Sequence, residues 1–184
     1  LSVYDLTKDK KWLDAAEQAA IYTESWSYMF EVPVEKDQFA ETDWPKDRSI
    51  VGQHIIAIGH SATDLGFAWS AFVYYRLYLL TGKEHYLHVA RISAHNTKQS
   101  MNLGQKLYPG QPEGLQQEAF QVRVNNGAGR RMNSIMEALT WNFAAHLDPM
   151  IRFKDAFGSY DLEEVEKIPQ SEKERLNDRY SLYQ

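Results

Sequence analysis

Carboxylates are the side chains of this 184-residue sequence best placed to do chemistry, and Asp64 is the foremost of them. It stands at the head of an apolar stretch, Leu65 to Leu80, whose only charged residue is Arg76. Two readings of Asp64 are open. With Ser61 and Thr63 it can cap a helix, accepting hydrogen bonds from free backbone N–H groups and complementing the positive helix end. Alternatively it is a catalytic carboxylate, held rigid at a helix mouth and kept ionised by that same terminus.

Cleavage of a glycosidic bond needs two carboxyl groups at a defined separation, one protonated and one ionised. Asp43 and Asp47, which flank Trp44-Pro45 and precede Arg48, are candidates for such a group. A tryptophan among carboxylates suits a sugar, whose apolar face stacks on the indole while its hydroxyls bond to the acids. Arg48 or Lys46 would meet a uronate carboxylate as a charge-assisted pair. An ordinary polar loop is the competing reading of residues 41–48. His54 and His60 precede Asp64 and can bind substrate or carry a proton, or serve only the structure.

Other chemistries find less support. The chain has no cysteine, so neither thiolate chemistry nor a cysteine-ligated metal is available. His85 and His88 lie three apart without a clear third ligand, so no metal is expected. Gly127 and Gly129 lie in a glycine turn without the strand and helix that a phosphate loop requires. No cofactor is expected. A net charge of −5 and a pI near 5.7 argue against a general nucleic-acid binder. No run of 18 apolar residues occurs, so no membrane span is expected. The sequence shows no signal-like stretch and no initiator Met, which suggests a mature or cut piece of something longer and leaves the compartment open.

These residues need elements to hold them. Leu65–Leu80 is apolar on nearly every side and reads as an inner helix beginning at Asp64, buried all round. A tight turn, Thr81-Gly82-Lys83, leads to an outer helix from Glu84 to about Asn102, with Tyr86, Leu87, Ala90, Ala94 and Met101 facing in. Another outer helix spans about Lys10 to Phe30. Tyr4–Ala20 aligns without gaps on Tyr78–Ala94, an offset of 74 residues, with Tyr4/Tyr78, Leu6/Leu80, Thr7/Thr81, Leu13/Leu87, Ala16/Ala90 and Ala20/Ala94 identical. Such self-similarity signals a helical repeat, with chance matching of helical positions as the alternative. A third apolar helix follows at Met132–Phe143, which Pro149 is expected to interrupt.

The long connections 31–63 and 104–130 join outer helices to the next inner helix. Ile50–Ile58 reads as a strand or a first helical turn, and Ala119–Val124 as strand-like. In antiparallel hairpins these connections gather on one rim, opposite the tight turns, where function concentrates. Residues 1–160 read as two to three hairpins, and residues 161–184 as a charged tail or edge helix.

Asp64-Leu-Gly-Phe67, the apolar helix after it, and Tyr78-Leu-Leu-Thr-Gly-Lys-Glu84 together resemble the six-hairpin glycosidases, most closely the unsaturated glucuronyl hydrolases. The similarity covers roughly residues 60–94, with a weaker echo at 119–142. It implies an all-α fold in which antiparallel helical hairpins form part of an (α/α)6 toroid. It also implies Asp64 as an active-site aspartate and an oligosaccharide, with uronic acid among its sugars, as substrate. That family has a second, proton-donating aspartate near the start of the next inner helix. Asn133 falls nearest that position, and Glu137, one turn deeper, is the substitute on this chain. At 74 residues per unit, six hairpins take more than about 400 residues, so the toroid cannot close within this chain. An open arc would expose inner-helix surface and favour self-association, or else await the remainder of a longer chain. The competing function is a non-catalytic helical module that binds glycan or protein.

Overall fold

The computed structural model describes residues 1–31, 49, 51–52, 54–57, 62–64, 70–100, 113, 119–121 and 140–181. These are mostly helical. In chain order they form α1 (Ser2–Thr7), α2 (Lys10–Glu24), β1 (His54–Ala57), β2 (Ala62–Asp64), α3 (Ser70–Thr81), α4 (Glu84–Ser100), β3 (Ala119–Gln121), α5 (Thr140–Phe157), α6 (Leu162–Glu166) and α7 (Gln170–Ser181).

Helix α3 is the centre of the packing. Ala71, Phe72, Tyr74, Tyr75, Arg76, Leu77 and Leu79 are buried, and only Val73 breaks the pattern by reaching solvent. One side of α3 packs on α4, which buries Tyr86, Leu87, Val89 and Ala90 and exposes Glu84, His88, Arg91 and His95. Beyond α3 lie α5 and α7, joined to it through aromatic edges. The ring of Phe72 meets Phe153 and Tyr180 with centroids 5.2 Å apart in each case, and Tyr75 meets Phe157 at 5.5 Å. Edge-to-face pairs of this kind add about 1 kcal/mol each beyond the area they bury.

The α1–α2 and α3–α4 turns are built alike, atom for atom. Lys8 N–H donates to Tyr4 O at 2.7 Å, and Gly82 N–H to Tyr78 O at 2.8 Å. The Thr7 hydroxyl donates to Val3 O and accepts from Asp9 N–H, and Thr81 does the same with Leu77 O and Lys83 N–H. Both turns pass through the left-handed region, with φ of 54° at Lys8 and 69° at Gly82. Helix α5 ends at another such residue, Gly158, with φ of 85°.

Several boundaries differ from those expected. Helix α2 stops at Glu24 rather than near Phe30. The Ser25 and Ser27 hydroxyls donate to Tyr22 O and Thr23 O, an alternative to continuing the helix ladder. Pro149 lies inside α5 instead of ending it. Its missing N–H costs one ladder bond, but Phe153, Ala156 and Phe157 beyond it are anchored in the core and hold the helix together.

The segment expected as a charged tail or edge helix contributes to the core. Helix α7 packs against α1, α3 and α5, with Asn177 and Ser181 buried. It therefore covers part of the surface of α3.

The strands form one antiparallel sheet in the order β1-β2-β3. Its strands fall within the two runs read as strand-like, Ile50–Ile58 and Ala119–Val124, and in the segment 62–64, where a helix start was expected. The chain leading into the sheet is tied to the helical layer at residues 51–52. Gly52 N–H donates to Tyr28 O at 2.7 Å, and Asn96 Nδ2 donates to Val51 O at 3.2 Å. Asn96 lies about 18 Å along α4 from the 82–83 turn at the helical rise per residue. The chain thus enters β1 at the end of the hairpins remote from their tight turns. It leaves β2 toward Ser70, the α3 terminus at that same end.

Candidate functional site

Two of the expected site residues meet in the sheet. His54 opens β1 and Asp64 closes β2, and they are direct register partners. On its other side Asp64 pairs with Ala119 of β3. Asp64 is thereby corrected from helix start to strand end. The ladder to β1 and β3 claims residues 62–64, and α3 is described only from Ser70.

The remaining expected residues, Asp43, Trp44, Asp47, Arg48, His60, Asn133 and Glu137, lie outside the described residues. Among the described residues no group of three or more His, Cys, Asp or Glu is placed to hold a metal ion.

The structure also assembles charged clusters that sequence reasoning missed. Arg76 donates through Nη1 and Nη2 to Asp5 at 2.9 and 2.8 Å, through Nε to Asn177 at 2.7 Å, and through Nη2 to Ser181 at 2.7 Å. Its guanidinium also lies over the Tyr180 ring, 5.7 Å from the centroid. Burial pushes the Asp5 carboxyl up, but the hydrogen bonds and charge of Arg76, helped by Ser181, outweigh it and hold Asp5 below the usual aspartate value. The signal for this cluster was present in the sequence, because a lone arginine on an all-buried helix requires a carboxylate.

A second cluster joins α2 to the start of α4. Glu17 pairs with Lys83 and accepts the Tyr86 hydroxyl at 2.8 Å. The Lys83 hydrogen bond lowers the Glu17 pKa, and burial opposes it without cancelling it. Burial first, and then the bonded Glu17, raises the Tyr86 phenol far above its ordinary value. About two turns further along α2, Glu24 Oε2 lies 2.6 Å from His85 Nε2, while Tyr74 Oη donates to Ala20 O at 2.8 Å. Each of these residues makes a contact between helices, and His85 stands on the outer helix, as its sequence position suggested.

No protein-family model, curated protein or solved structure matches the chain. What it does therefore has to be argued from its own residues.

Proposed function

We propose that this chain carries the catalytic rim of a carbohydrate-active enzyme, a glycoside hydrolase acting on oligosaccharides that contain uronic acid. The observation that supports the reading is the register pairing of Asp64 with His54 at the end of the hairpins remote from the tight turns. A carboxylate and an imidazole on register-paired residues of adjacent strands are groups able to orient a sugar hydroxyl and move a proton.

In this reading Asp64 is the ionised carboxylate, and Glu137 supplies the acid in place of the aspartate that Asn133 replaces. Trp44 stacks on a sugar ring, Asp43 and Asp47 bind hydroxyls, Arg48 binds the uronate, and His54 and His60 line the site. The hairpins α1–α2 and α3–α4 would then be an arc of an (α/α)6 toroid of the six-hairpin glycosidase kind. Asp64 would enter the site from the sheet rather than from a helix terminus.

The test is hydrolysis of a panel of uronate-containing oligosaccharides, with Asp64→Asn and Glu137→Gln compared with the native chain. Loss of at least a hundredfold in kcat for Asp64→Asn, with KM little changed, is the expected result. Full activity in that variant would remove Asp64 from the mechanism. Binding of the oligosaccharides without any cleavage would favour the alternative, a non-catalytic helical module.

A further inference from the structure

We propose, resting on the reading of His54 and Asp64 as site residues, that Asn96 is a positioning residue for them. Its side chain fixes where the chain enters β1 and so sets the register in which His54 meets Asp64.

The sheet does not secure that register by itself. Strand β1 has four residues and β2 has three, and the register already shifts between Ile55 and Ala57. Strands this short gain little from their own ladder. A slip of one residue would set another residue against Asp64 in place of His54. The register therefore has to be held from outside the sheet, and the approach to β1 is where the structure holds it.

Two hydrogen bonds reach that approach from two different elements. Gly52 N–H donates to Tyr28 O, just beyond the end of α2, at 2.7 Å. Asn96 Nδ2 donates from α4 to Val51 O at 3.2 Å. Gly52 is itself buried against α4, where a Cβ on it would stand 2.8 Å from Ile92 Cγ2 and 3.1 Å from Asn96 Cβ. The bond to Tyr28 alone would act as a pivot about which the chain turns. The bond from Asn96 fixes its direction, and His54 follows two residues after Gly52.

Stability does not account for Asn96. It is 1% exposed, yet its Oδ1 is buried without a hydrogen-bond partner. A buried acceptor left unpaired costs about as much as the one bond to Val51 contributes. Alanine at this position would remove the orphan oxygen and is the better helix former. A buried amide that adds no net stability and still holds one particular carbonyl selects a geometry. A buried polar residue does the same where it fixes the register of packed helices.

The experiment compares the native chain with Asn96→Ala by calorimetry, by residue-resolved amide exchange and by hydrolysis of the uronate-containing oligosaccharides. The variant should melt within about 3 °C of the native chain. Exchange at His54–Ala57 should be at least about tenfold faster, with α3 unchanged. The kcat should fall at least about tenfold with KM little changed. Should Asn96→Ala not fold, Asn96→Ser reads the same contact, because a serine there bonds back into its own helix as Ser93 does to Val89 O. Failure of both to fold overturns the proposal, since stability would then rest on Asn96. Unchanged exchange in β1 overturns it too. So does faster exchange spread evenly over sheet and helices with a large loss of Tm, the mark of a purely structural residue. Full kcat in a variant whose β1 exchange has risen also overturns it. A native chain that cleaves none of the oligosaccharides removes the glycosidase reading, and the exchange pattern then decides the role of Asn96 on its own.

Discussion

Arg76 and Asp5 stand 71 positions apart in the chain and form a buried two-armed ion pair, with both N–O distances under 3 Å. The pair ties the first helix to the central one, and Asn177 and Ser181 tie the last helix to both. Removing one partner leaves the other charge buried and unpaired. Asp5→Leu and Arg76→Met should each destabilise the fold by about 3–5 kcal/mol. The double variant Asp5→Leu/Arg76→Met should cost much less than the sum. Urea titrations of the four proteins give the coupling directly, and additive losses would show that the pair is not a unit.

Acid should loosen the same contacts. Asp5 and Glu17 both have pKa values depressed in the folded chain, so the unfolded chain binds more protons as pH falls through the carboxylate range. Their contribution is fully present above the unfolded values of about 4 and is lost as pH drops through the lower folded values. The urea midpoint should hold steady from pH 7 to about 5 and fall below about 4. Asp5→Asn should flatten that fall, and an unchanged pH profile in the variant would count against the assignment.

The two hairpin turns make opposite predictions for similar backbone angles. Lys8, at φ 54°, bears a side chain where glycine is preferred, whereas Gly82, at φ 69°, has open space around it. Lys8→Gly should stabilise the chain by up to about 1 kcal/mol. Gly82→Ala should cost about 1 kcal/mol through backbone strain alone. In a chain of this size each corresponds to roughly 2–4 °C in Tm, with opposite signs, readable by calorimetry.

Gly52 is a harsher case. Its φ of 87° is joined by a close approach, since a Cβ there would lie 2.8 Å from Ile92 Cγ2 and 3.0 Å from Ile92 O. Gly52→Ala should therefore cost about 2–4 kcal/mol, combining strain with a clash against α4. Because this residue pins the approach to β1, amide exchange of His54–Ala57 should speed up more than that of α3. Equal acceleration throughout would argue that the sheet is not hung from this point.

How much could be read from the chain alone differs between elements for physical reasons. The tight turn at Gly82, the all-buried α3 and the one-sided α4 follow from hydrophobic periodicity and a left-handed residue, which are local signals. The strand runs at 54–57 and 119–121 were visible as short apolar segments, but nothing local shows that β2 lies between them. Segment 62–64 looks like a helix start because Ser61, Thr63 and Asp64 are capping types. Only the ladders to both neighbours make it a strand.

The charged C-terminal segment shows the same limit from the other side. With few apolar residues, α7 resembles a solvated helix, yet its polar side chains are what the buried Arg76 requires. The sequence by itself determined the α3–α4 hairpin, its tight turn and the burial of α3. Tertiary structure alone decided that Asp5, Asn177 and Ser181 surround Arg76, that Pro149 stays helical, and that Asp64 pairs in register with His54. Those outcomes depend on pairings between residues far apart in the chain, whose energies exceed the local preferences they override.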